Sequence, residues 1–375
     1  MDFAQGDQQQ MIREAVRAFA EKVARPAAMA WDRDAGWDAA GHRGLASLGA
    51  FGLAAAEALG GLELDAPTWT AALEELAAAD AGAAEALVAH AACLAHLEAV
   101  GTAGQKAAWA GKLAAGEALG CLAHEDDPDN LDSDTVRTVA VADGAGWRLT
   151  GAKPAVVLGA HAQVAVVTAV AQDLGLTAFL VPMNAPGVRV LALDALGLRS
   201  AAAATLELTD VALGADAVLG TPGAAKAELE PVRDDARLGT AAVALGLARA
   251  ALREAGRYAA GREQFGKPIS SFQPIQWMIA NSATEIDAAR MLVTRAAWLR
   301  AAGKPAARAI AMAKLQATEA ALRAADRGLQ VHGGYGYTKD FPIERMLRDA
   351  ALLQILHGSR DLQRVRIGSS LAGAA

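Results

Sequence analysis

Apolar residues recur at helical spacing at both ends of the chain and in short strand-like runs between them. Ile12, Val16, Phe19 and Val23 follow one another at steps of four, three and four, which places them on one helix face. Pro26 is expected to end that helix, because proline supplies no backbone donor. Further helices are predicted over residues 69–79, 83–100 and 105–115, with Gly101 and Gly116 at their C-terminal ends. From Gly120 the pattern changes. Runs rich in Val, Leu and Thr occupy residues 136–141, 147–150, 164–170, 177–181, 188–193 and 205–208. Turn signals separate them at Asp143-Gly144, Gly151, Pro182 to Asn184 and Pro186-Gly187. With no helix-length pattern between them, these six runs predict an antiparallel β domain. Long helical periodicity returns from Leu229, where Val243, Leu247, Ala251 and Ala255 keep four-residue spacing. It continues over 272–299, 306–331 and 342–356, broken at Gly303-Lys304-Pro305, and so predicts a four-helix bundle. The expected fold is α+β, with a helical domain over 1–118, a β domain over 119–226 and a helical bundle over 227–375.

Composition narrows the class. The chain has 375 residues, too many for one core to organise easily, and 53% of them are hydrophobic. Thirty-five basic against 42 acidic residues give a net charge of −7, which argues against binding a nucleic-acid backbone. Residues 154–172 carry no formal charge and are long enough to span a bilayer. Gly159, His161 and Gln163 interrupt them, and Val164, Val166 and Val167 are β-branched, so a buried strand with a turn is expected rather than a membrane span. Cys93 and Cys121 show no CxxC spacing and the N-terminus lacks the order of a signal peptide. A cytoplasmic location is the expectation from both.

The sequence contains no GxxxxGK[ST], no GxGxxG after a strand and no GxSxG. Its seven histidines have no zinc-motif spacing, and no metal site is expected. The informative stretch runs from Gln330 through His332-Gly333-Gly334-Tyr335-Gly336-Tyr337 to Arg345. Gly333 and Gly334 end a helix and leave backbone N–H groups uncovered, so that a phosphate or ribose can approach the main chain. By itself such a turn is equally a plain helix C-cap.

Arg262-Glu263-Gln264-Phe265-Gly266-Lys267-Pro268-Ile269, then Phe272-Gln273, precede that turn, and Arg348-Asp349 follows it. Gly116-Glu117 leads into the β domain and Gly151-x-Lys153 lies on a strand. In this combination the whole chain resembles the acyl-CoA dehydrogenase family of flavoproteins. The resemblance implies FAD held between the β domain and the bundle. It also implies a dimer or tetramer, an acyl-CoA or acyl-carrier thioester as substrate, and an electron-transfer flavoprotein as oxidant. It assigns Arg262 and Phe265 to the diphosphate and adenosine half of FAD, reached from a neighbouring subunit. Ile269, Gln273, Gln330 and Gly334 become further cofactor contacts, and Asp234 and Arg237 substrate contacts. An acid near a helix start with a surface Arg explains the last two equally well.

The chain departs from the family at the chemistry. Where the family carries the Glu of Tyr-Glu-Gly-Thr as α-proton base, this sequence has Leu356-His357-Gly358-Ser359. At the alternative base position, before the bundle arginine, it has Ala236. His357 becomes the candidate base, an imidazole suited to proton transfer near neutrality; packing is the other reading. Asp235 and Asp361 are weaker candidates. The flavin-side stretch reads His124-Glu125-Asp126-Asp127-Pro128-Asp129-Asn130, with His124 and Asn130 the cofactor-facing candidates, and Val157 replaces a family hydroxyl. Three readings stay open: FAD-dependent α,β-dehydrogenation with an atypical base, a base-deficient subunit of a hetero-oligomer with a related chain, and a flavoenzyme of the same fold with other chemistry.

Overall fold

The computed structural model describes residues 6–127 and 135–373. The N-terminal helices are α1 (Asp7–Phe19), α2 (Arg25–Asp34), α3 (Ala39–Ser47), α4 (Ala66–Ala77), α5 (Ala81–Val100) and α6 (Ala103–Ala115). Pro26 does not end the first helix. A π-helical turn over Ala20–Ala24 widens the helix just ahead of it, and Pro26 falls in the first turn of α2, where a missing N–H costs nothing. Asp38, Asp65, Asp80 and Thr102 cap α3, α4, α5 and α6 through their side chains. Helix α5 is apolar nearly all round and runs through the core.

The strands are β1 (Gly120–Ala123), β2 (Val139–Asp143), β3 (Gly146–Val156), β4 (Val164–Ala171), β5 (Gly175–Pro182), β6 (Val188–Ala192), β7 (Ala204–Leu213) and β8 (Val218–Leu219). They form one sheet in the order β6-β7-β3-β2-β4-β5-β8, with β1 also on β4. The sheet is mixed rather than purely antiparallel, since both β1 and β2 pair with β4 in parallel. β1 escaped sequence reading because Gly-Cys-Leu-Ala contains no β-branched residue. Its Gly120 lies against α5, where a Cβ would come 2.6 Å from Cys93 Sγ. The uncharged 154–172 stretch is the end of β3, a turn, and the buried strand β4.

The C-terminal part holds α7 (Ala225–Gly261), the ribbon β9 (Glu263–Gln264) and β10 (Lys267–Pro268), then α8 (Gln273–Ala301), α9 (Ala307–His332), α10 (Ile343–Leu353) and α11 (Arg360–Ala372). Among the described residues this part therefore holds five helices, one more than the periodicity predicts. α7 starts earlier than its periodicity suggested and continues through Pro231, so Asp234 lies inside the helix and not at its N-terminus. α4 and α5 pack on α7, which packs on α8 and α9. This brings α5, α7, α9 and the turn before α11 to one buried point.

Candidate functional site

That point is a cluster of charges in an apolar surround. His357 sits in a left-handed turn, with φ +54° there and +99° at Gly358. Buried cations hold the two successive carbonyls. Arg237 Nε donates to the His357 carbonyl at 3.1 Å, and Lys314 Nζ donates to that of Gly358 at 2.7 Å. Burial pushes the Lys314 ammonium down to about 7, even with Glu85 nearby. The His357 ring is buried, and its Nε2 lies 3.1 Å from Glu85 Oε1 without the alignment of a hydrogen bond. Together with Leu356, Ala89, His124, Glu125 and the 154–157 segment, it lines a cavity of about 40 Å³. Burial works against ionising Glu125, but the His124 imidazole 3.3 Å away and, beyond it, His357 and Arg233 hold its carboxyl below the ordinary range. Behind it the buried Lys153 on β3 pairs with Asp126 and donates to Thr168 Oγ1 at 3.2 Å.

Asp234 and Arg237 lie together but face each other. Arg237 is 1% exposed, and its Nη1 binds Asp234 at 2.6 Å and Glu230 at 3.0 Å; Arg366 completes the group. Arg237 therefore reaches the site by holding the His357 turn. Asp235 makes a bidentate pair with Arg300 at 2.6 and 2.7 Å on the wall of a second cavity of about 240 Å³. Leu64, Trp69, Val88, Val232 and Ala236 also line this cavity. Asp361 pairs with Arg364 on the exposed face of α11.

A third cavity, a cleft of about 510 Å³, contains the arginine and double-glycine motifs. Arg262, Gln264, Ile269, His332, Gly333, Gly334 and Tyr335 line it, with Tyr258. His332 stacks on Tyr258 at 4.2 Å. Its Nδ1 bonds to the Gly328 carbonyl at 2.7 Å, and its buried Nε2 has no partner. A Cβ on Gly333 or Gly334 would meet nothing within 4 Å, and Gly333 has φ +57°. Phe265, Gln273 and Gln330 are exposed near this cleft but do not line it. Asn130 lies outside the described residues.

Matches to known proteins follow this geometry from end to end. The acyl-CoA dehydrogenase N-terminal domain matches residues 6–117, the middle domain 126–211 and the C-terminal domain 233–372. The chain belongs to the acyl-CoA dehydrogenase family. A probable acyl-CoA dehydrogenase from Bacillus subtilis is 35% identical over 99% of this chain and 100% of its own length. Butyryl-CoA dehydrogenase from Megasphaera elsdenii superposes with a TM-score of 0.94 at 33% identity, over 99% of this chain and 100% of that one. A glutaryl-CoA dehydrogenase from Mycobacterium smegmatis, solved in complex with FADH2, gives 0.94 at 27% identity over 99% and 96%.

Acyl-CoA dehydrogenases are FAD-dependent oxidoreductases acting on CH–CH groups, and the large cleft fits one half of that cofactor. The Arg262 fork, the open glycine backbone and the unpartnered His332 nitrogen suit an adenosine diphosphate. Where the resemblance places the flavin ring, Ala155, Val156 and Val157 present no side-chain hydroxyl or aromatic face. The 40 Å³ there is far below the roughly 300–1,000 Å³ of ligand pockets. Sequence reasoning missed Glu85 and Lys314. Each was visible as a lone charge inside an alanine-rich helical run, but its partner was not.

Proposed function

We propose that this acyl-CoA dehydrogenase removes the α and β hydrogens of a short acyl thioester with His357 as the proton acceptor in place of the family glutamate. The observation that carries this is the buried imidazole of His357 on the wall of the small cavity, on a turn that Arg237 and Lys314 fix. FAD, when bound, supplies the acceptor for the β hydride. A base within reach of the thioester Cα takes the proton, and the buried surround keeps water from competing. The apolar cavity beside Ala236 suits a short acyl tail, and the likeness to a butyryl-CoA dehydrogenase supports that length. An electron-transfer flavoprotein is the acceptor that the family resemblance implies.

The experiment is to purify the chain alone, add butyryl-CoA without oxygen, and follow the flavin absorption. Bleaching is expected in the wild type, and His357→Gln is expected to slow it about 10²–10⁴-fold. One observation favours a second reading. The adenosine cleft is well formed, whereas the wall at Val157 lacks a hydroxyl and leaves little space. That combination suits a chain which completes the cofactor site of a related subunit. A colourless protein that turns yellow only when co-expressed with such a relative would establish this second reading over the first.

A further inference from the structure

Glu85 is a fully buried carboxylate in the middle of the apolar run of α5. Its Oε1 accepts a hydrogen bond from Thr240 Oγ1 at 2.9 Å and lies 3.1 Å from His357 Nε2. Its Oε2 has no partner, nor does that ring nitrogen have a hydrogen bond. A buried carboxylate with an idle oxygen is costly unless a charge nearby compensates it. The groups around the imidazole come from every element packed against it: Glu85 from α5, His124 and Glu125 from the segment after β1, Arg233 and Arg237 from α7, and Lys314 from α9. Among them Glu85 is the carboxylate within 3.1 Å of a ring nitrogen.

We propose that Glu85 is a positioning residue for His357: its carboxylate, 3.1 Å from Nε2, favours electrostatically the tautomer with the proton on Nε2 and leaves Nδ1 as the proton acceptor. This rests on the assignment of His357 as base. The Cα–H bond breaks and an N–H bond forms at Nδ1, while the hydride from Cβ leaves to FAD, the oxidant of the family. Glu85 exchanges no atoms. It offsets the imidazolium charge formed 3.1 Å away.

Ring-nitrogen NMR on ¹⁵N-histidine protein, with His357 assigned by its loss in His357→Gln, reads the tautomer without any need for turnover. The wild type is expected to carry the proton on Nε2, and Glu85→Leu is expected to lose that preference. In dehydrogenation, Glu85→Leu is expected to lower kcat about 10–10³-fold with KM within about twofold. Should Glu85→Leu not fold, Glu85→Gln makes the same kcat test, since a neutral amide cannot offset the imidazolium. A wild-type ring protonated on Nδ1, or a folded Glu85 variant with undiminished kcat, overturns the proposal. Undiminished turnover in His357→Gln instead overturns the assignment of the base, and the tautomer experiment separates the two failures.

Discussion

At the scale of single residues, the chain spends its buried charges in groups, and Glu75 shows what one such group contributes. Its carboxylate is 3% exposed and meets Arg13 at 2.7 Å, Arg17 at 2.9 Å and Arg249 at 2.8 Å, joining α1 and α4 to α7. Burial alone would raise its pKa, but the three guanidiniums outweigh burial and hold it well below the ordinary 4.5. Glu75→Gln leaves those cations facing a neutral amide, and a loss of about 3 kcal/mol is expected from urea unfolding at neutral pH. The sign with pH follows from the depressed value. The contribution is complete above pH 4.5 and fades as pH falls toward the folded pKa. The gap between wild type and variant should therefore close in acid, and a gap that stays constant would show that charge is not its source. The same contrast explains which candidate residues the sequence could bring forward. Arg262, Gly334 and His357 stand in short motifs whose spacing carries meaning. Glu75, Glu85 and Lys314 look like stray charges on apolar helices until partners 44 to 272 residues away come into contact.

At the scale of elements, strands with β-branched runs were legible and those without were not. β4 and β5 announce themselves through Val and Thr, whereas β1 is set by its partner, Val164 to Val167, and by the close approach of Gly120 to α5. Pro26 misled for a related reason, because a local rule met a π turn that accommodates it. The junction of sheet and bundle depends on another close approach. Asp349 on α10 accepts the Leu198 amide at 2.6 Å, and a Cβ on Gly197 would fall 2.2 Å from the Arg348 carbonyl oxygen. Backbone on both sides leaves no flexible side chain to yield. Gly197→Ala is expected to cost about 2–3 kcal/mol by thermal or urea unfolding. Gly104 in α6 has nothing within 4 Å of its Cβ position. Gly104→Ala should therefore raise stability by about 0.5–1 kcal/mol through helix propensity. Equal effects from the two alanines would mean that the Gly197 contact does not hold α10 to the sheet.

At the scale of the whole molecule, the order of helices, sheet and helices was readable because periodicity changes twice along the chain; whether copies assemble was not, since no periodicity encodes it. The surface supplies an argument. Phe265 is 90% exposed and Tyr337 89%, and both stand next to residues lining the large cleft, Gln264 and Thr338. Trp277 on α8 adds a third aromatic at 58%. Phe265 and Tyr337, each one residue from the cleft wall, offer apolar surface that a covering chain would bury. Phe265 also holds a left-handed backbone, with φ +55°, at the tip of the β9–β10 ribbon, a strained conformation suited to presenting its ring outward. We expect a second copy, or a related chain, to cover this tip and so to wall the adenosine side of the cofactor. Light scattering should give the wild type a mass that is a multiple of the chain's own. Phe265→Asp should move it toward the monomer and weaken FAD retention together, while Gly104→Ala should change neither. A wild type that is monomeric at micromolar concentration and still retains FAD through gel filtration would show that the cleft is complete in one chain and that Phe265 serves some other contact.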